Sequence, residues 1–391
     1  VSRLRIAIIA DYLEEGWPSM DLVADMLGDC LRREHAASVD ASLVRPALRR
    51  RASRLPGLGR FRPATTFDRL ANRLWDYPRH VAGLVERYDV FHLVDHSYAQ
   101  LVHRLPASRT LVTCHDTDTF RSVLEPERER RSAAFRAMTR HILDGLRKAG
   151  HIACDTAATR DALVSLAGVP PERTSVVHNG PHPTCTPAHE PTADAEAGRL
   201  LAPSEGIPLL HVGSPIARKR IDVLLRVFAA VREARAEVRL VRVGGPLTAS
   251  QRALARDLGV ADAILTLPFL DRATLAAVYR RSALVLLPSD REGFGLPVLE
   301  ALACGTPVVA SDIGALREVG GDAVTYCPVG DVACWRASIL ELLQARSRPA
   351  EWAARRDAGI ARAAAFSWSR YTSEIAALYR RLAPAASVAP A

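Results

Sequence analysis

Short apolar runs alternate with longer amphipathic stretches along almost the whole chain. In the first half the apolar runs fall at residues 4–10, 38–43, 90–93, 110–114, 151–154 and 174–178. Their length and their turn-rich borders are those of strands buried on both faces. Between them, residues 20–34, 67–88 and 128–149 carry apolar positions at helical spacing. The second half repeats the pattern, with strands at 209–212, 238–243, 263–269 and 283–288. Helices follow at 222–235, 271–281 (capped by Asp271), 298–303, 331–343, 351–365 and 367–383. Alternating strands and helices predict parallel, doubly wound α/β sheets. Residues 183–207 are rich in Pro, Thr, Ala and acidic residues and have no periodicity, which predicts a linker. The expected organisation is a domain at 1–182, this linker, a second domain at 208–365, a terminal helix at 366–383 and a disordered tail at 384–391. The terminal helix sets Trp368, Tyr371, Ile375, Leu378 and Leu382 on one stripe, which reads as packing. No G-x-G-x-x-G occurs, so a dinucleotide-binding reading lacks its fingerprint.

Composition narrows the picture. A chain of 391 residues, 48% hydrophobic, can fill two cores, and no apolar run reaches transmembrane length. The first apolar run is short and is followed by Asp11, Glu14 and Glu15; it reads as a buried strand, not a secretory signal, so a cytoplasmic protein is expected. None of the seven cysteines has C-x-x-C spacing, so neither a zinc site nor a redox pair is signalled. The net charge of +9 is carried by arginine: Lys148 and Lys219 are the two lysines among 52 basic residues. That balance suits acidic partners such as sugar nucleotides or anionic lipid. Nucleic acid is not an expected partner, since no helix-turn-helix, zinc-finger or aromatic RNA-binding signature accompanies the charge. Arg45, Arg49, Arg50, Arg51, Arg54, Arg60 and Arg62 are interleaved with Leu48, Leu55, Leu58 and Phe61. This stretch is either a solvated loop or a peripheral contact with an anionic membrane, on its inner face.

Three places carry candidate chemistry. The first is 289–300, SDREGFGLPVLE, which follows the strand at 283–288. Pro297 suits a first helical turn, where its missing N–H costs no hydrogen bond, and Gly305 suits a stop. Gly293 and Gly295 then lie in a strand-to-helix turn at the carboxyl edge of a sheet, where ligands of open α/β sheets bind. The N–H groups of such a turn attract an anion, and Glu292 and Glu300 can accept hydrogen bonds from hydroxyls. Alone, two glutamates eight positions apart would read as solvated surface charges. The second place is the basic turn 213–220, which holds Gly213, Arg218, Lys219 and Arg220. Cations there would stabilise negative charge that grows on a leaving group. The third is a pair of strand ends, one with His92, Asp95 and His96, the other with His115 and Asp116.

Residues 292–311 keep every fixed position of E-G-F-G-L-P-x-L-E-A-x-A-x-G-x-P-V-V-A-S. That segment resembles the donor-binding motif of the retaining glycosyltransferases of family 4, which have the GT-B fold. Residues 151–180 resemble the end of the family's N-terminal domain, although Cys154-Asp155-Thr156 departs where serine is usual. The resemblance implies two Rossmann-like doubly wound parallel-sheet domains facing across a cleft, with the terminal helix crossing back to the first. It implies transfer of a sugar from a UDP- or GDP-linked nucleoside diphosphate to a glycan, lipid-linked or small-molecule acceptor. The chemistry that the resemblance implies is same-face attack with the leaving phosphate as base, with no metal and no cofactor, the nucleoside-diphosphate sugar being a substrate.

Carried over residue by residue, the resemblance assigns Glu300 to the donor ribose and Glu292 to the sugar hydroxyls. Gly293, Phe294 and Gly295 act through their backbone, and Leu296, Gly213, Gly244 and Phe269 complete the donor pocket. Lys219 and Arg218 neutralise the diphosphate. The family's arginine is replaced by Ser214, so Arg218 or Arg220 is expected to supply its charge. His115 matches the family histidine that reaches the donor sugar, with Asp116 beside it on the acceptor side. Two rival readings stand: a sugar-nucleotide epimerase of the same fold, and a non-catalytic sugar-nucleotide- or lipid-binding module. The E-x7-E segment speaks against the first, and intact Glu292, Glu300, Lys219 and His115 against the second.

Overall fold

The computed structural model of the protein describes residues 3–55, 57, 61–202 and 206–384. They form two compact units. One comprises the described residues up to Asn179 together with those from Trp368 onward; the other runs from Gly180 to Ser367.

The first unit is built on six strands: β1 (Leu4–Ile9), β2 (Val39–Val44), β3 (Val90–Leu93), β4 (Thr110–Cys114), β5 (His151–Cys154) and β6 (Thr174–Val176). Their order across the sheet is β2-β1-β3-β4-β5-β6 and every pairing is parallel. Parallel strands need crossovers, and here these include the helices Pro18–Glu34, Ala133–Lys148 and Ala157–Ala167. The helix expected from residue 128 begins instead at Ala133, because the Ser132 side chain accepts the Phe135 amide and caps it there. The helix expected at 67–88 starts earlier and is broken: Arg62–Ala71, one wide turn at Asn72–Asp76, then Tyr77–Ala82. The terminal helix Trp368–Leu382 belongs to this unit. Its Tyr379 hydroxyl meets His92 Nδ1 at 2.7 Å, and Thr113 Oγ1 holds His92 Nε2 at 2.8 Å. His92 is therefore a core residue, and burial keeps its ring neutral with a pKa of about 3.

The second unit holds β7 (Ile207–Val212), β8 (Val238–Val243), β9 (Ile264–Leu267), β10 (Leu284–Leu287), β11 (Val308–Ser311) and β12 (Thr325–Cys327). Their order is β12-β11-β10-β7-β8-β9, again all parallel. Alternate residues feed two cores. Leu210, Val241, Val285 and Ala310 face one, and Leu209, Leu240, Leu286 and Val309 face the other.

The expected linker 183–207 needs correction. It contains the helix Pro191–Leu201, whose Ala193 and Ala197 lie in the core of the second unit. Glu190 caps it through the amides of Thr192 and Ala193, and Arg280 grips Asp194 at 2.8 Å. Alanine and threonine gave no apolar stripe to read, yet small residues allow close helix packing. A second unannounced helix, Ala249–Asp257, is set by a Thr248/Gln251 capping box. The expected disordered tail lies outside the described residues from 385 on.

Candidate functional site

In a doubly wound sheet the crevice for a ligand opens where strand order reverses. In the second unit that point lies between β7 and β10. The chain leaving β7 makes the basic turn, and the chain leaving β10 makes the glycine turn, so residues more than seventy positions apart meet there. Asp290 N–H donates to the Arg218 carbonyl at 2.9 Å and ties the two turns together. Lys219 Nζ then lies 2.5 Å from Glu292 Oε1, Arg218 Nη1 lies 3.3 Å from Glu292 Oε2, and Ser289 Oγ donates to Oε1 at 2.6 Å. Burial alone would raise the Glu292 pKa, but the charges of Lys219 and Arg218 outweigh it and hold the carboxyl below its usual range. Arg220 does not join them. Its guanidinium is forked on Asp222 at 3.0 and 3.1 Å, and it is the one non-glycine residue with positive φ among the described residues. Of the two arginines that the Ser214 departure left as candidates, Arg218 is the one beside Lys219.

Backbone shape makes room for this cluster. Gly213 and Gly244 end β7 and β8, and Gly244 has φ +120; a Cβ on it would stand 2.5 Å from the Gly213 carbonyl oxygen. The Gly213 N–H donates to Val243 at 2.8 Å, so this glycine contributes space, not a donor. Gly295, with φ +94, starts the helix Leu296–Ala303, and a Cβ there would run into Leu316. Gly293 is buried in the turn, Leu296 is half-buried at the helix start, and the Phe294 ring packs edge-on against Phe366 in the core. Glu300 is buried one turn along. Tyr279 Oη donates to its Oε2 at 2.9 Å, and Arg272 Nη1 stands 3.8 Å from Oε1. Here burial wins over Arg272 and Tyr279, and the pKa is raised. Phe269 follows β9 and is 73% exposed, away from any core.

Beneath the basic turn the sequence reading missed a layer. His211 and Arg242 are paired across β7 and β8, and both are fully buried. Arg242 donates to the Gly213 carbonyl at 3.1 Å, while neither ring nitrogen of His211 has a hydrogen-bond partner among the described residues. Burial first, then the charges of Arg242 and Lys219, keep His211 neutral. The signal was available: His211 interrupts an otherwise apolar strand, and Arg242 is one of two arginines in the next.

In the first unit the corresponding switch point lies between β1 and β3. Asp11 and Asp95 follow these strands and both are buried. Burial and the neighbouring Asp95 raise the Asp11 pKa well above the usual carboxylate value, while Asp95, which accepts the Ser97 amide and hydroxyl and lies beside His96, is held below its usual range despite burial. His115, after β4, is 6% exposed. Its Nδ1 meets Asp155 Oδ2 at 2.7 Å and its Nε2 meets the Val94 carbonyl at 2.7 Å. Burial works against a charged ring, but the carboxylates of Asp155 and Asp95 raise the pKa to about 9, and both nitrogens act as donors. Asp155 lies within the Cys154–Thr156 stretch where the sequence departs from the family pattern, and it is the partner of the predicted histidine. His96 joins the same edge, with Nε2 at 3.1 Å from Thr119 Oγ1 and 3.6 Å from Asp116 Oδ1. Asp116 accepts the Asp118 amide at 3.0 Å, which turns the chain there. Among the described residues no group of three or more His, Cys, Asp or Glu is arranged to hold a metal ion, and no helix is long and apolar enough to cross a membrane.

Against known proteins, the family model described as Glycosyltransferase Family 4 matches residues 22–183, and that described as Glycosyl transferases group 1 matches residues 194–357. Similar curated proteins include the D-inositol 3-phosphate glycosyltransferase of Segniliparus rotundus, 39% identical over 211 residues, covering 52% of this chain and 46% of the relative. That of Thermobispora bispora is 34% identical over 247 residues, covering 59% and 56%. The chain thus spans about half the length of the curated relatives it matches. Among solved structures, a sucrose-phosphate synthase from Thermosynechococcus elongatus superposes with a TM-score of 0.70 at 20% identity, over 97% of this chain and 99% of the other. Anabaena HepE in complex with UDP and glucose gives a TM-score of 0.70 at 17% identity, over 96% and 99%.

Proposed function

Because the chain belongs to the family 4 glycosyltransferases and has the GT-B fold, we propose that it moves a sugar from a nucleoside diphosphate to a hydroxyl acceptor with retention of configuration. The observation that carries this reading is the meeting of Lys219, Arg218 and Glu292 at the switch point of the second sheet. Lys219 has three donors, so it can keep Glu292 and still reach a phosphate oxygen. Glu292, ionised and fixed by Ser289 and Lys219, can take sugar hydroxyls as donors. Glu300 is set deeper, against Tyr279, and takes the ribose. Phe269, exposed, offers a face on which a base can stack.

Charge grows on the bridging oxygen as the glycosidic bond breaks. Lys219 and Arg218 lie where they can stabilise that charge without reorganising. The leaving phosphate takes the acceptor proton in this scheme, and no metal is called on. His115 is assigned to the donor sugar by the family resemblance, and within its own unit Asp155 and the Val94 carbonyl fix its ring.

A UDP-sugar is the first donor to test, since a solved relative of the same fold is described with UDP and glucose. D-inositol 3-phosphate, named in the curated relatives, is the first small-molecule acceptor; a glycan or lipid-linked acceptor is the alternative. A lipid-linked acceptor would be served by peripheral contact of the 45–62 stretch with an anionic membrane. Arg45 takes no part in such a contact, because it is ion-paired with Asp21 and Asp25. Product analysis with UDP- and GDP-sugars labelled in the sugar tests the reading. A new glycoside with the donor's anomeric configuration supports it; an isomerised donor points to an epimerase; bound but unchanged donor points to a binding module.

A further inference from the structure

In the first unit the segment from Arg62 to Asp76 is folded with its polarity reversed. The face it buries is polar. Ala64, Asp68 and Asn72 point inward. Asp68 accepts the amides of Ala52 and Ser53 at 2.9 and 3.0 Å and the Ser53 hydroxyl at 2.6 Å. Asn72 donates to the Arg49 carbonyl at 2.8 Å and accepts its amide at 2.7 Å. Asp76 continues the stripe and takes Arg51 at 2.8 Å. The face left to solvent is apolar: Phe61, Phe67, Leu70, Leu74 and Trp75 are each between 41% and 60% exposed.

The wide turn Asn72–Asp76 sets this arrangement. In an unbroken α-helix Trp75, seven residues after Asp68, would fall on the buried stripe. The extra residue of a π-type turn rotates Trp75 out beside Phe67 and Leu74 and brings Asp76 inward. Such a turn lowers helix quality, and an outward apolar face adds nothing to the core of this unit. Both features make sense if something outside the unit covers that face.

Charge identifies what covers it. Residues 45–76 contain two acidic residues, Asp68 and Asp76, and both are committed inward. Arg50 and Arg54, on the loop pinned by the polar stripe, are exposed, as is Arg62 at the start of the helix, while the exposed Arg51 and Arg69 are paired with Asp76 and Glu15. An apolar strip flanked by cations, with no outward carboxylate, complements an anionic lipid surface. We propose that this helix is a membrane-docking surface: Phe67, Leu70, Leu74 and Trp75 enter the headgroup–acyl boundary of an anionic bilayer, and the surrounding arginines meet lipid phosphates. The docking element is thus the helix, with the basic stretch before it as its electrostatic flank. Its residues belong to the first unit, and those assigned to the donor nucleotide to the second.

The test is co-sedimentation of the full chain with vesicles of phosphatidylcholine alone, and with vesicles containing roughly one third phosphatidylglycerol. The expected result is binding to the anionic vesicles only, reversed by high salt. The double substitution Phe67→Ser/Trp75→Ser, and separately Arg50→Glu/Arg54→Glu, should each weaken that binding at least about tenfold. Both variants should keep the wild-type thermal midpoint, since these side chains are exposed. A wild-type chain that stays in the supernatant with anionic vesicles overturns the proposal, as does unchanged binding by both variants. A concentration-dependent dimer that is lost in Phe67→Ser/Trp75→Ser, without vesicle binding, would assign the face to a second copy and overturn it too. Donor-nucleotide affinity, measured in parallel, is expected to be the same in all variants, so a failure here is distinguishable from a failure of the transfer reading.

Discussion

Lys219 Nζ stands 2.5 Å from Glu292 Oε1, and Arg218 reaches the other carboxylate oxygen at 3.3 Å. The two cations and one anion leave one positive charge at the carboxyl edge of β7 and β10. That edge is where a doubly wound sheet receives a ligand. The pairing also explains why a buried glutamate stays ionised, as it must to accept hydrogen bonds from a sugar.

Glu300→Ala is expected to weaken nucleotide binding while the fold persists. Glu300 lies buried against Tyr279, so its removal leaves both the Tyr279 hydroxyl and a donor hydroxyl without a partner. The loss should be about 1–3 kcal/mol of binding free energy. Titration calorimetry with UDP and GDP reads it directly, and an unchanged affinity would remove Glu300 from the donor site.

Gly295→Ala should be costlier to the fold than its size suggests. With φ at +94 and Leu316 in the path of a Cβ, the new residue is strained and must displace a core side chain. A loss of about 1–3 kcal/mol is expected, seen as a lower thermal midpoint together with weaker nucleotide binding. Wild-type stability in this variant would mean that the turn has another conformation available.

Much of this was legible in the chain. The strand Leu284–Leu287 is a continuous apolar run, which a sheet covered on both faces demands, and it appears where expected. Glu292, Glu300 and Lys219 stood out because glycine, proline and a rare lysine punctuate the ends of such strands. Contacts between distant segments were not legible: nothing in the sequence pairs Ser289 with Glu292 and Lys219, Tyr279 with Glu300, or Asp155 with His115. Helix Pro191–Leu201 was hidden because alanine packs it, and alanine carries little apolar contrast. The wide turn at Asn72–Asp76 was hidden because one added residue shifts the phase of everything after it.

The His115–Asp155 pair should make stability depend on pH. The His115 pKa is raised from 6.5 to about 9, so its contribution is fully present below pH 6.5 and is lost as pH rises through about 9. At about 1.4 kcal/mol per pH unit Asp155, Asp95 and the Val94 carbonyl together contribute on the order of 3 kcal/mol. His92 and His151, held by burial at about 3 and about 4, are neutral across that window and do not obscure it. Thermal midpoints on either side of the window should fall for the wild type and change much less for Asp155→Asn. Equal pH profiles for the two proteins would show that Asp155 does not hold the proton on His115.

Transfer is expected to continue in excess chelator. Lys219 and Arg218 already place positive charge where the diphosphate is expected, so the electrostatic task of a divalent ion is filled. Asp116 and Asp118 share the spacing of an Asp-x-Asp pair, but Asp116 accepts the Asp118 amide within a turn. Initial rates with and without EDTA decide the matter; loss of activity that magnesium or manganese restores would contradict this phosphate site.

The most direct test of the account is single-turnover transfer measured beside nucleotide binding, for the wild type and Lys219→Ala. Bound diphosphate is already charged, so some affinity should go. More charge develops on the bridging oxygen as the bond breaks, and a fixed cation there acts mainly on the rate. Removing one such contact typically costs about 2.7–4 kcal/mol, or about 10²–10³ in rate. Arg218, on the same carboxylate, should bring the loss toward the lower figure. Lys219→Arg should recover only part of it, because the guanidinium is planar and longer. The account predicts a rate that falls by more than the affinity does. An equal fall in both would make Lys219 a binding residue only, and no change in either would mean that the turn between β7 and the helix Ile221–Ala234 does not hold the diphosphate.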